Sequence, residues 1–135
     1  MKISGQCHCG AIAYEAEVEP DGVLLCHCTD CQQLTGTPYR PIARAPAATF
    51  NLTRGTPTIY IKKTADNGQH RRHAFCAECG SPIYATSMDA APPTYSLRVG
   101  TINERAQLSV RRQQWMCSAL PWALDLRAIE RVEKQ

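Results

Sequence analysis

Seven of the eight cysteines in this 135-residue chain fall into three tight clusters, and their spacing constrains the fold more than any other feature. The clusters are Cys7-x-Cys9, Cys26-x-Cys28-x2-Cys31 and Cys76-x2-Cys79, with Cys117 alone near the C-terminus. Zinc takes four tetrahedral ligands, with sulfur at ~2.3 Å, and one short peptide segment offers only two or three of them without strain. A closed site therefore pairs clusters from distant parts of the chain. Cys7, Cys9, Cys76 and Cys79 would close one such site, leaving Cys26, Cys28 and Cys31 as three ligands within one short segment. Three protein ligands with an exchangeable fourth position is the arrangement of a catalytic zinc. The same three closed by Cys117 or His27 would be structural, and spacing alone leaves the pairing of clusters open. Cys76-Ala-Glu-Cys79-Gly80 has the form of a zinc knuckle, in which Gly80 takes a positive φ just beyond the second thiolate, and Cys9-Gly10 repeats that ending.

Composition supports metal over disulfide. The opening residues MKISGQCHCGAIAYE hold no apolar stretch of the length a secretory signal needs, and no run approaches 18 apolar residues. The expectation is a cytoplasmic chain with reduced thiols and no membrane span, where clustered cysteines are metal ligands. Leu, Ile, Val and Phe number only 24, against 17 Ala. That is below the fifth or so at which chains lean towards disorder, but disorder also needs high net charge, and here it is +3. A closed zinc site contributes folding free energy outright, on the order of 10 kcal/mol, and would compensate for the thin aliphatic core. The same small charge argues against nucleic acid as a partner, since the basic residues occur as short pairs among Ala, Pro and Thr.

The length fits one domain, residues 1–135. Residues 11–18, AIAYEAEV, alternate Ile12, Tyr14, Ala16 and Val18 against Ala13, Glu15 and Glu17, the period of a half-buried strand. Glu19-Pro20-Asp21-Gly22 reads as a turn, and Val23–Cys26 as the returning strand of a hairpin. TDCQQL suits one or two helical turns, with Thr29 or Asp30 as N-cap and Gly36 as terminator. From Tyr39 to Ser87 the Pro and Gly spacing leaves room for short strands, with 58–62, 71–75 and 83–86 the best, followed by 94–99. ALDLRAIERVEK near the C-terminus reads as a helix, with Leu126, Ile129 and Val132 as its apolar stripe.

Gly5-Gln6-Cys7-His8-Cys9-Gly10, Cys26-His27-Cys28-Thr29-Asp30-Cys31-Gln32 with Thr35-Gly36, and Phe75-Cys76-Ala77-Glu78-Cys79-Gly80-Ser81-Pro82-Ile83-Tyr84 resemble the glutathione-dependent formaldehyde-activating enzymes, which share their domain with centromere protein V. Arg98-Val99-Gly100-Thr101-Ile102 and Pro121-Trp122 extend the likeness over nearly the whole chain. The resemblance implies a mainly β fold, a zinc-stabilised β-tent of short antiparallel strands, here with a short C-terminal helix. It implies two zincs per chain, one closed by Cys7, Cys9, Cys76 and Cys79 and one held by Cys26, Cys28 and Cys31. It also implies carbon–sulfur lyase chemistry on the adduct of a small-molecule thiol such as glutathione with an aldehyde, formaldehyde in the family's reaction. The zinc of Cys26, Cys28 and Cys31 would be the reactive centre, with no further catalytic residue assigned. The competing class is a non-catalytic zinc-stabilised binding or scaffold module, because fold alone does not fix function.

Other residues carry milder expectations. His8 and His27, in the middle of extended C-x-C segments, project away from the ligands. His70-Arg71-Arg72-His73 and Arg111-Arg112 read as solvated strand faces rather than anion clamps. Trp115 and Trp122 read as packing for the C-terminal segment, and Cys117 as a buried small hydrophobe.

Overall fold

The computed structural model describes residues 1–134. Ten strands run in the order β1 (Lys2–Gln6), β2 (Ala13–Glu17), β3 (Val23–Cys26), β4 (Arg40–Pro46), β5 (Asn51–Arg54), β6 (Thr58–Lys62), β7 (Arg71–Phe75), β8 (Pro82–Ser87), β9 (Thr94–Arg98) and β10 (Val110–Gln114). One α-helix, α1 (Thr29–Thr35), lies between β3 and β4. The strands form a three-stranded sheet, β1-β2-β5, and a seven-stranded sheet, β10-β3-β4-β9-β8-β7-β6. All pairings are antiparallel except β10 with β3. The fold is mainly β, as expected, and the strands expected at 58–62 and 71–75 have those bounds.

Alternation along the strands builds the core between the two sheets. Ile3 of β1 and Tyr14 and Ala16 of β2 face Ala43 and Ala45 of β4, Ala74 of β7 and Leu97 of β9, all buried. Small alanines let the sheets approach, and aromatic rings fill the remainder: Phe50 stacks on Tyr95 at 4.2 Å between centroids and meets Tyr84 edge-on at 5.2 Å. The opposite face of the seven-stranded sheet carries Arg40, Ile42 and Arg44 of β4, Ser96 and Arg98 of β9, and Arg71 and His73 of β7, and it floors a cavity.

Close approach fixes Gly5. A Cβ there would lie 2.2 Å from Cζ of Tyr14, whose ring is buried over β1 and whose hydroxyl is 2.8 Å from Oγ1 of Thr101. Gly5→Ala is expected to cost about 1–3 kcal/mol, read as a lower urea midpoint at unchanged slope, because a ring that is 1% exposed would have to shift within the core. An unchanged midpoint would mean that the ring can leave its site freely.

Two expectations are corrected. Val23–Cys26 is a strand, but it does not return along β2; it sits between β4 and β10 in the other sheet, while β2 pairs with β1 and β5. The period-two signal specifies a strand and its faces, not its neighbour. The C-terminal helix does not form: residues 121–123 make a single 3-10 turn and 124–134 are irregular, leaving Leu126, Ile129 and Val132 54%, 61% and 73% exposed. An amphipathic stripe of about twelve residues is marginal as a helix unless a surface takes its apolar face, and no element covers this one.

Candidate functional site

The three cysteine clusters occupy three local structures that hold thiols for different reasons. Cys7 and Cys9 sit in the turn between β1 and β2, where Cys7 N–H donates to Ile12 O at 3.0 Å and Ile12 N–H donates to Cys7 Sγ at 3.3 Å. Cys76 and Cys79 sit in the turn between β7 and β8, closed by Cys76 N–H to Ser81 O at 2.9 Å and Gly80 N–H to Cys76 O at 2.8 Å. Gly10 and Gly80 adopt φ of 77° and 74°, as expected of the residue that ends each knuckle. His8 N–H donates to Ser81 Oγ at 3.1 Å and ties the two turns together.

The fold thus brings Cys7, Cys9, Cys76 and Cys79 together, with all four sulfurs within 4.8 Å of one another. Cys9 Sγ lies 3.5 Å from Cys7 Sγ and 3.8 Å from Cys76 Sγ. Four sulfurs around one zinc at ~2.3 Å stand about 3.8 Å apart, so this donor set fits the ion. Cys7 and Cys76 are each 1% exposed and belong to the main core.

The second group, Cys26, Cys28 and Cys31, meets the same 4.8 Å criterion, and among the described residues no fourth His, Cys, Asp or Glu joins it. Cys26 ends β3 and Cys31 lies in the first turn of α1. Cys28, not Thr29 or Asp30, is the N-cap: its extended backbone starts the helix and its sulfur accepts from Cys31 N–H at 3.3 Å. Gly36 ends the helix in the left-handed conformation, as expected. Between the sulfurs themselves, the hydrogen bond from the Cys31 thiol lowers the Cys26 pKa to about 5, and the same contact pushes Cys31 up.

His27 is fully buried behind this group. Its Nε2 is 2.8 Å from Gln113 Oε1 and its ring meets Tyr39 at 5.2 Å, so it projects away from the sulfurs and supports them from behind. Gln32 of α1 donates from Nε2 to His27 O at 2.8 Å and to Ser118 O at 2.9 Å, pinning the helix to the segment after β10.

A cavity of about 690 Å³ opens beside the three thiols. Its wall includes Cys117, which is exposed rather than buried, and Trp115, whose φ of 61° is the single positive value among non-glycine residues described. Asp30 of α1 accepts from Lys62 Nζ at 2.6 Å and from Thr64 Oγ1 at 2.7 Å, which ties the helix to β6 and lowers the carboxyl pKa. Asp66, Arg40, Arg44, Arg71, Arg98 and His73 complete the charged lining. The sequence reading placed Arg71 and His73 on a solvated face and gave Arg40 and Arg98 no role. Strand pairing decides otherwise, since Cys26 is opposite Arg40, Ile42 opposite Arg98, and Ala85 opposite both His73 and Ser96.

His73 Nδ1 lies 3.4 Å from Arg40 Nη1 and 3.4 Å from Arg98 Nη2, an acceptor facing two donors. Burial lowers its pKa to about 3, reinforced by Arg98, Arg40, Lys62 and Arg71. The unfolded chain takes up this proton near 6.5 and the folded one only near 3, so the group's contribution to stability falls as pH drops through that window. The expected NMR result is a His73 imidazole that stays neutral from pH 8 to pH 5; a midpoint near 6.5 would mean that the guanidinium groups do not face it.

Comparison with known proteins agrees with this architecture. A family model described as glutathione-dependent formaldehyde-activating enzyme matches residues 2–118. The crystal structure of a protein from Rhodobacter sphaeroides is similar at 25% identity and a TM-score of 0.61, over 82% of this chain and 98% of that one.

Proposed function

The chain belongs to the glutathione-dependent formaldehyde-activating enzyme family, and from that premise we propose that residues 1–135 act as one zinc-dependent, cytoplasmic carbon–sulfur lyase domain. Its substrates would be a small-molecule thiol such as glutathione and an aldehyde, whose adduct it forms or cleaves. The observation that carries this reading is the contrast between the two thiol groups: four sulfurs that join two turns, with Cys7 and Cys76 buried, Cys79 half-buried and Cys9 exposed, and three beside a cavity with no fourth ligand among the described residues. No helix among those residues is long and apolar enough to cross a membrane.

Cys7, Cys9, Cys76 and Cys79 would hold a zinc that fastens the β1–β2 turn to the β7–β8 turn, a structural role. Cys26, Cys28 and Cys31 would hold the second. When bound there, zinc supplies a Lewis-acidic centre that makes a thiol acidic near neutral pH and polarises a carbonyl. The chain's own residues supply position. Cys28 fixes the start of α1, Gln32 fixes that helix against Ser118, and the Asp30–Lys62 pair fixes the other wall of the cavity. Walls tied in this way would hold two small reactants close together, which is where most of the advantage over the already fast uncatalysed addition has to come from.

The test is metal content followed by release to a mild chelator. Two zincs per chain are expected, one leaving quickly without loss of structure and protected by glutathione, and turnover above the uncatalysed rate. Two equally inert zincs with no such rate would instead support a scaffold module.

A further inference from the structure

Two buried guanidinium groups lack an acidic partner: Arg40, 2% exposed, on β4, and Arg98, 5% exposed, on β9. Among the described residues neither is within ion-pair distance of a carboxylate, and Nε of each has no hydrogen-bond partner. Their terminal nitrogens face the same acceptor, His73 Nδ1, at 3.4 Å, which is long for a nitrogen–nitrogen hydrogen bond. The two carboxylates on the cavity wall are engaged elsewhere or remote from burial: Asp30 is held by Lys62 and Thr64, and Asp66 is on the exposed loop after β6. Burying unpaired charge is among the most costly things a fold can do, and the negative groups that act on these two are the neighbouring thiols, Cys26, Cys28 and Cys31 on Arg40 and Cys26 and Cys31 on Arg98, so the two guanidinium groups share one thiol cluster and have no carboxylate of their own.

We propose that Arg40 and Arg98, whose terminal nitrogens meet at His73, form a carboxylate-binding site on the cavity floor that holds the substrate's carboxylate beside the Cys26–Cys28–Cys31 group. This rests on the zinc reading above. Planar guanidinium forks match the two oxygens of a carboxylate, and a desolvated pair binds it far better than an exposed one would. The cavity volume of about 690 Å³ accommodates a tripeptide-sized ligand. The carboxylate can belong to the thiol or to the aldehyde, and the chemistry at the site is the same.

Calorimetric titration of the zinc-loaded protein separates these sources. S-methylglutathione is compared with its dimethyl ester, and glyoxylate with glycolaldehyde. The acid of at least one pair is expected to bind roughly tenfold tighter or more than its neutral counterpart. Preference in the first pair assigns the carboxylate to the thiol, and in the second to the aldehyde. Arg98→Gln removes most of that preference at unchanged zinc content, while Arg98→Lys, a charge without the fork, retains part of it. Equal binding of acid and neutral compound in both pairs, or no binding of any of the four, overturns the proposal, and this comparison needs no variant to fold. Preference undiminished in both Arg98→Gln and Arg40→Gln overturns it as well. The zinc content and turnover of the same preparation report separately on the zinc reading: one zinc per chain with an intact acid preference would sink that reading and leave the carboxylate site standing.

Discussion

Cys76→Ser is expected to leave a chain that does not fold. The residue is 1% exposed in the main core and its sulfur is 3.8 Å from Cys9 Sγ, so the substitution removes a ligand and places a hydroxyl in that core at the same time. A four-thiolate zinc site contributes on the order of 10 kcal/mol, whereas a domain keeps about 5–15 kcal/mol of net stability in all. The core around it is small, with alanine at four of its fourteen buried positions, and cannot make up the loss. Circular dichroism should show no cooperative melt, and metal analysis little retained zinc. A variant melting within about 5 °C of the wild type would show that the site is not structural.

Cys28→Ser should behave in the opposite way: zinc falls to one per chain, turnover falls to the uncatalysed rate, and the melt is nearly unchanged. The reason is local. Cys28 caps α1 by accepting from Cys31 N–H, and serine is among the best residues for that duty, so the substitution deletes a ligand without deleting the cap. Cys28→Ala loses both and should melt lower by about 1 kcal/mol of stability. Together the two variants divide the helix's role from the metal's. If Cys28→Ser unfolds as Cys76→Ser does, the second group is structural and the division between the two groups fails.

The cysteine groups were legible in the sequence because ligand number and spacing are arithmetic that local chemistry fixes, and the knuckle glycines followed from the turn each cluster needs. Strands 58–62 and 71–75 were legible because turn residues bracket them. What depended on long-range pairing was not. Nothing within TPYRPIAR distinguishes Arg40, which is buried, from Arg44, which is exposed; the difference arises because β3 and α1 cover one end of β4 and leave the other open. Arg98 is hidden by the same logic, since its neighbours on β4 come from more than fifty positions away. The C-terminal helix failed for a related reason: its stripe is a real pattern, but a stripe needs a partner surface. The N-cap was missed because cysteine is not a usual capping residue, and here the metal-ligand motif and the cap coincide.

The pairing of Cys9 with Cys76, 67 positions apart, sets a timetable for synthesis. A ribosome adds about 5–20 residues per second, so the first two thiols emerge on the order of several seconds before the pair that completes their site. During that interval the nascent chain carries two clusters of unshielded, easily oxidised sulfur. Oxidant present while the protein is being made, rather than after it has folded, is therefore the more damaging exposure.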